Sequence, residues 1–226
     1  AKAPIIVENR ALGYELRYDL DYFTVDAGRT NFNGSTFFKE LIPADEEQRK
    51  RWEQNRDKSY LGSRAHLVRS ILADRLEQEG WEVKIQYPGF RPSDKYIAEQ
   101  IKKYRALGMK DSIDYYRQMR LMPHFKHMTS RPLHGHEIMD VTNRQLMTFK
   151  GVLEIVFKNE EDPRYIGRKV PIAFSQSSEL VFETRPHMLY ENGSYLPQKD
   201  VALGGYFAFG ERAAEWVPYG YTPTKK

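Results

Sequence analysis

The stretch WEQNRDKSYLGSRAHLVRSILADRLEQEG, residues 52–80, carries the densest local pattern in the chain, and its reading decides the fold. Around its start, residues 44–58 are mostly charged and contain no Gly or Pro. Leu41, Ile42 and Trp52 are their apolar anchors, so the expected helix keeps most of its surface in water. Pro43 and Asp45 suit its first turn. Tyr60, Leu61 and Gly62 break the pattern, and Ser63 can cap a second helix by accepting from an amide two or three residues on. Leu67, Val68, Ile71, Leu72 and Leu76 then fall at the spacing of one apolar helical stripe, with Gly80 as the expected stop. Trp81, Val83, Ile85 and Tyr87 alternate with Glu82, Lys84 and Gln86, the pattern of a strand with one buried face. The unit reads as helix, tight turn, helix, strand.

Tyr60, Gly62, Ser63, His66, Leu67 and Arg69, with Glu79 and Gly80 closing the helix, resemble a motif of Bacteroidota carboxypeptidase-like regulatory domain-containing proteins. That motif is Y-x-G-S-x-x-H-L/F-x-R…E-G-F/W, and it lies after their N-terminal domain. The segment PIIVENRALGY, residues 4–14, is similar to the opening of the same region. Glu191-Asn192-Gly193-Ser194-Tyr195, Gly205-Tyr206, Glu211-Arg212-Ala213-Ala214 and Val217-Pro218 are similar to its end. These motifs occur in the family's order and span residues 4–87 and 188–223. Arg64-Ala65 departs from the turn pattern, and residues 88–133 match nothing in it. The resemblance implies an exported protein of the cell envelope, associated with the outer membrane. It also implies that a signal and a small β-sandwich precede Ala1 in the full protein. The term carboxypeptidase-like describes that β-sandwich and implies no peptidase activity in this region.

Composition narrows the classes. The 226 residues suffice for a substantial core, and 13% aromatic with 29% charged residues and no low-complexity run describes a globular chain. Cysteine is absent, which excludes disulfides, thiol catalysis and cysteine metal sites. No run approaches the ~20 apolar residues of a membrane-spanning helix.

In chain order, residues 5–7 and 14–21 read as strands, residues 27–35 as a turn-rich connection, and residues 36–41 as a short strand or the entry to the first helix. After the strand that starts at Trp81, two helices are expected. Ser93 caps one carrying Ile97, Ile101, Tyr104 and Leu107 and stopped by Gly108. Asp111 caps another carrying Tyr115, Tyr116, Met119 and Met122 and ended by Pro123. From Arg91 to Arg131 there are ten Lys or Arg against four Asp or Glu, a local +6 in a chain whose net charge is +4, so the rest is −2. The basicity belongs to this insertion. From His134 the chain returns to β, with strands at residues 152–158, 170–174 and 180–184 and a type I′ hairpin turn at Asn192-Gly193. A final helix is expected near residues 211–216. The expected class is α+β, a largely antiparallel sheet packed against a helical hairpin. Residues 1–87 and 134–226 form one domain in this reading, and residues 88–133 a basic helical insertion.

Four groups of residues invite chemistry. His124, His127, His134 and His136, next to Glu137, raise zinc, with His134, His136 and Glu137 as the candidate ligands. Their spacing is not H-E-x-x-H, and Pro123 and Pro132 favour an exposed loop. Ser63 and His66 lie three apart, but a serine engaged as a cap points at amides, and no G-x-S-x-G elbow accompanies it. Trp52, Asn55, Arg56 and Tyr60, with Gly62, Ser63 and His66, read as a structural motif in which Asn and Arg bond backbone carbonyls. A peptide or sugar groove would use the same residue types. Gly204-Gly205 lacks a phosphate-loop context and reads as a bend; Glu179 and Glu183 would share a strand face. No cofactor is expected, and no nucleic-acid recognition motif accompanies the charge.

The expected function is a non-enzymatic protein-binding domain, an accessory subunit of an outer-membrane-associated complex. Its contact surface is placed on Lys102, Lys103, Arg105, Tyr115, Tyr116, Arg117, Met119 and Arg120 of the insertion. The alternative for that segment is a helical unit whose Met and Tyr face its own interior while Lys and Arg are solvated. The partners expected are envelope proteins, with anionic lipid or glycan as further candidates. The other functional readings are a glycan- or nutrient-binding module beside an outer-membrane importer and a metal-dependent hydrolase at the histidine loop.

Overall fold

The computed structural model describes residues 3–26, 29–88, 93–121, 126–129, 131–143, 145–147, 151–163, 175–182, 186–210 and 212–224. Among the described residues, three antiparallel sheets and the helices packed on them make an α+β fold. The first sheet is a meander of β1 (Ile5–Asn9), β2 (Tyr14–Asp26) and β3 (Arg29–Glu40). Next come α1 (Glu46–Tyr60) and α2 (Arg64–Leu72), then β4 (Trp81–Pro88), α3 (Asp94–Ala106), α4 (Lys110–Leu121) and β5 (Lys126–Met128). The one-turn helix α5 (Gly135–Ile138), β6 (Leu146–Met147), β7 (Gly151–Glu161), β8 (Ser175–Phe182), β9 (His187–Leu189), β10 (Tyr195–Leu196), β11 (Val201–Gly204) and α6 (Gly205–Gly210) complete it. The largest sheet has the order β11-β8-β7-β4-β5, and a small one the order β10-β9-β6.

Local chemistry sets the helical pair. Asp45 caps α1 by accepting from the Gln48 amide at 2.7 Å, and Ser63 caps α2 by accepting from the His66 amide at 3.2 Å. Gly62 joins them at φ +71, and a Cβ there would lie 2.9 Å from both the Gln176 Oε1 and the Phe157 ring. The turn therefore needs glycine for conformation and for clearance. The apolar face of α2, Leu67, Val68 and Ile71, packs on Val83, Leu153, Ile155, Phe157, Leu180 and Phe182 of the large sheet. Leu67, Val83, Leu153 and Ile155 have no solvent exposure. Each contributes roughly 1.5–3 kcal/mol on burial. The C-terminal segment ties this body to the first sheet. The Asn9 side-chain amide donates to the Ala214 carbonyl at 2.8 Å, Trp216 and Val217 pack on Leu12, Tyr14 and Leu16, and the Tyr221 hydroxyl donates to Asp57 at 2.6 Å.

Several sequence expectations change. Residues 29–35, read as part of a turn-rich connection, instead extend the short strand expected from residue 36 into β3, because β2 continues to Asp26 and pairs with it. Ile42, expected as an anchor of the first helix, is 94% exposed, and the helix is held by Trp52, Arg56 and Tyr60 instead. The second helix ends at Leu72, with Asp74 at φ 53. Leu76 is buried from the following turn, and Gly80, at φ +86, leads into β4 and does not close the helix. Asp111 lies inside the first turn of α4 and is not its cap. Residues 126–128 belong to the large sheet as β5, which pairs with β4, and further on the Leu133 amide donates to the Val83 carbonyl at 2.8 Å. At the 190–194 hairpin only Gly193 has positive φ, so the turn is not type I′; the Gly193 amide closes it on the Tyr190 carbonyl. In place of the expected helix near 211–216, α6 lies earlier and a 3-10 turn spans Ala213–Glu215. Residues 170–174, Glu183, Met122, Pro123, His124 and Glu211 lie outside the described residues.

Candidate functional site

The residues that invite catalysis are turned to structural use. The Trp52 indole N–H donates to the Arg10 carbonyl at 2.7 Å, and the Asn55 side-chain amide to the Ala11 carbonyl at 2.8 Å. Arg56 donates to the carbonyls of Leu12 at 2.6 Å and Gly13 at 3.1 Å, with its guanidinium 3.9 Å from the centre of the Tyr14 ring. These donors reach four consecutive carbonyls of the β1–β2 turn, of which Gly13 also accepts from the Leu41 amide at 2.9 Å. Arg56 is 7% exposed and its contacts are filled, so this is a brace and leaves no groove for a peptide or sugar.

His66 is buried among Tyr60, Trp81 and Phe157. Its Nδ1 accepts from the Gly62 amide at 3.2 Å and its Nε2 lies 3.4 Å from Glu79, a geometry that calls for the neutral ring with the proton on Nε2. Burial pushes its pKa down; the Glu79 carboxylate opposes this in part. The Ser63 hydroxyl accepts from the His66 backbone amide and is not aligned on the ring. The pair lacks the nucleophile–base contact that covalent catalysis requires.

At the histidine loop, both Glu137 oxygens face Arg131, at 2.6 and 2.8 Å, and one also accepts from the His134 amide at 2.9 Å. The hydrogen bonds from Arg131 hold the Glu137 pKa down at about 2. His136 bonds Asp74 through Nδ1 at 2.8 Å, and the rings of His134 and His136 stack with planes 7° apart. Stacked rings do not converge on a common point as tetrahedral ligands must. Among the described residues no group of three or more His, Cys, Asp or Glu side chains could hold a metal ion.

The basic insertion divides its residues by face. Ile97 and Met119 are buried, Tyr104 and Tyr116 stack at 5.6 Å between centroids, and Tyr115 meets Tyr116 edge-on. Met119, expected at the contact surface, is 2% exposed; it lies on the same side of α4 as Tyr116, three residues earlier, and is removed from that surface. Lys102, Lys103, Arg105, Arg117 and Arg120 are exposed, as is Tyr115. Between the helices lies a cleft of about 510 Å³ lined by Ile101, Arg105, Arg117 and Arg120.

A second surface went unread in the sequence. On the first sheet, Tyr14, Leu16, Tyr18 and Leu20 share one face with Phe38, Thr36 and Gly34 opposite. A register shift between Leu20 and Tyr22 inserts Asp21 and reverses the alternation. Phe23 and Val25 thereby rejoin the apolar face, opposite Phe32 and Thr30, and Ile5 joins it from β1. Ile5, Phe23, Val25 and Phe32 are 45–65% exposed. One apolar face thus runs from the Leu12, Tyr14 and Leu16 cluster out along the hairpin. The signal was available in YFTV, residues 22–25, and Phe32, but strict alternation ended at Leu20 and concealed it.

The chain matches no protein-family model, no curated protein and no solved structure. Among the described residues no helix is long and apolar enough to cross a membrane.

Proposed function

We propose that this chain is a non-enzymatic protein-binding domain, an accessory subunit of an outer-membrane-associated complex of the cell envelope. The observation that carries the protein-binding reading is the apolar face of β2 and β3, which continues beyond its own core as exposed Phe23, Val25 and Phe32. A contiguous exposed apolar face of this kind marks an interaction surface. The cationic side of α3 and α4 supplies a second contact, where charge sets orientation and approach more than affinity. The compartment rests on the motif resemblance at residues 60–80. The roles of Ser63 as a cap, His66 as a buried neutral ring and Glu137 as a partner of Arg131 also support a binding role over a catalytic one.

The test is recovery of the full-length protein from native envelopes in mild detergent, with mass spectrometry of what stays attached. The parent is compared with Phe23→Ser/Val25→Ser/Phe32→Ser and with a variant in which residues 93–121 are replaced by a short Gly-Ser link. A stoichiometric envelope protein that is lost from the hairpin variant is expected. A protein recovered alone, or a partner retained by both variants, overturns the reading.

A further inference from the structure

Ile101 and Arg105 sit one turn apart on α3, Arg117 and Arg120 one turn apart on α4, and all four line the same open cleft. The stacked Tyr104 and Tyr116 rings hold the two helices against each other, and Met119 and Ile97 are buried, so the helix positions that carry the arginines are set by packing. Three guanidinium groups line one cleft, and a ligand that concentrates negative charge suits them in exchange for the interactions Arg117 and Arg120 already make. A phosphomonoester carries about −1.5 to −2 on one group with three acceptor oxygens, whereas carboxylates would have to converge three at a time. The cleft, at about 510 Å³, is also far larger than a phosphate alone. It is open to solvent, so only the charged end of a ligand is held closely, and Ile101 offers an apolar contact for a carbon body attached to the phosphate. Arg117 lies 3.2 Å from Asp114, an exposed pair three residues apart that contributes little and yields readily to a stronger anion.

We propose that the α3–α4 cleft binds a phosphomonoester, with Arg105, Arg117 and Arg120 on the phosphate oxygens and Ile101 against the adjoining carbon skeleton. The group could be borne by a lipid headgroup or by a soluble molecule; the chemistry at the cleft is the same. The site is independent of the β2–β3 face, so either can fail without the other.

The experiment uses the full chain and four probes: glycerol 3-phosphate by calorimetry, vesicles of phosphatidic acid in phosphatidylcholine, vesicles of phosphatidylglycerol in phosphatidylcholine, and a hexaglutamate peptide. Binding of glycerol 3-phosphate identifies a soluble source, and binding of phosphatidic acid vesicles alone a lipid source. Arg105→Glu and Arg117→Glu should each weaken binding about tenfold or more. Arg105→Lys should retain the charge but lose part of the affinity with the planar fork. Lys39→Glu/Lys50→Glu, on β3 and α1 and so on other elements, should stay within about threefold at physiological salt, where distant charges are screened. Circular dichroism melts show that the variants are folded. Three results overturn the assignment: no binding of either phosphomonoester probe, equal binding of phosphatidylglycerol, or equal losses from the lysine and arginine variants. Hexaglutamate bound more tightly than both phosphomonoesters also overturns it and gives the cleft to acidic proteins.

Discussion

The two helix pairs of this chain treat polar side chains in opposite ways. In α1 and α2 they turn inward: Trp52, Asn55 and Arg56 bond the 10–13 carbonyls, and His66 bridges Gly62 and the Glu79 carboxylate. Among the described side chains of α3 and α4 the buried ones are Ile97 and Met119, and the cations lie outside. Rare residue types at fixed spacing mark a brace in the first pair. A regional excess of charge marks a surface in the second. A dense motif is therefore no pointer to chemistry by itself, because a buried polar network needs residue identity as strictly as a catalytic one does.

The largest test of this contrast is Arg56→Ala. It strands the buried Leu12 carbonyl, takes one of two donors from the Gly13 carbonyl and removes a cation–π contact, so a loss of about 3 kcal/mol is expected in urea unfolding. A loss below about 1 kcal/mol would place α1 with the surface elements. Gly13→Ala attacks the same brace from the other side. Gly13 has φ +70, and a Cβ would stand 2.3 Å from the Trp52 ring, so about 2 kcal/mol or more should be lost by the same measurement. In the second pair, Tyr116→Ala removes one stacked and one edge-on ring contact and should cost about 1 kcal/mol, read as loosening of α3 and α4 in hydrogen exchange with β4 and β7 unaffected.

A pH titration sharpens the comparison further. Burial lowers the pKa of His66 and of His187, so the unfolded chain takes up protons that the folded rings resist. Their contribution to stability is complete above about pH 6.5 and is lost as pH falls through the folded values. Glu160, whose carboxyl burial pushes up, works in the opposite sense, so the informative quantity is the difference between the parent and His66→Asn. The variant should show the shallower decline between pH 6.5 and 5. A parallel decline would mean that His66 carries no part of the effect. Smallest of all, Phe32→Ser should leave stability within about 0.5 kcal/mol, because the ring is already 49% exposed, while weakening retention of the envelope partner in the pull-down.

The helical pair, the strand after it and the caps at Ser63 and Ser93 were legible because each rests on local chemistry: a hydroxyl before an apolar stripe, or alternation after a glycine. The bracing role of Asn55 and Arg56 was legible as a type of interaction but not as a partner, since the 10–13 carbonyls lie over 40 residues away in sequence. The extension of β2 and β3 was hidden by one extra residue, Asp21, because a bulge inverts a period-2 signal without changing composition. Met119 was misplaced for a related reason. Composition marks a methionine-rich segment, but which face of α4 carries each side chain depends on packing against α3. The arginine cleft was half legible: Arg105, Arg117 and Arg120 stood out by charge, while their shared cleft with Ile101 arises only when the helices fold together.

On this contrast α1 and α2 belong to the cooperative core, and α3 and α4 form an attached body with the cations on its outer side. Native-state hydrogen exchange on the intact chain tests it most directly. Amides of α2, β4 and β7 should exchange only through global unfolding, and those of α3 and α4 through a separate opening of lower free energy. Equal protection of α3 and α2, with the same denaturant dependence, would contradict the division and make the insertion part of the core.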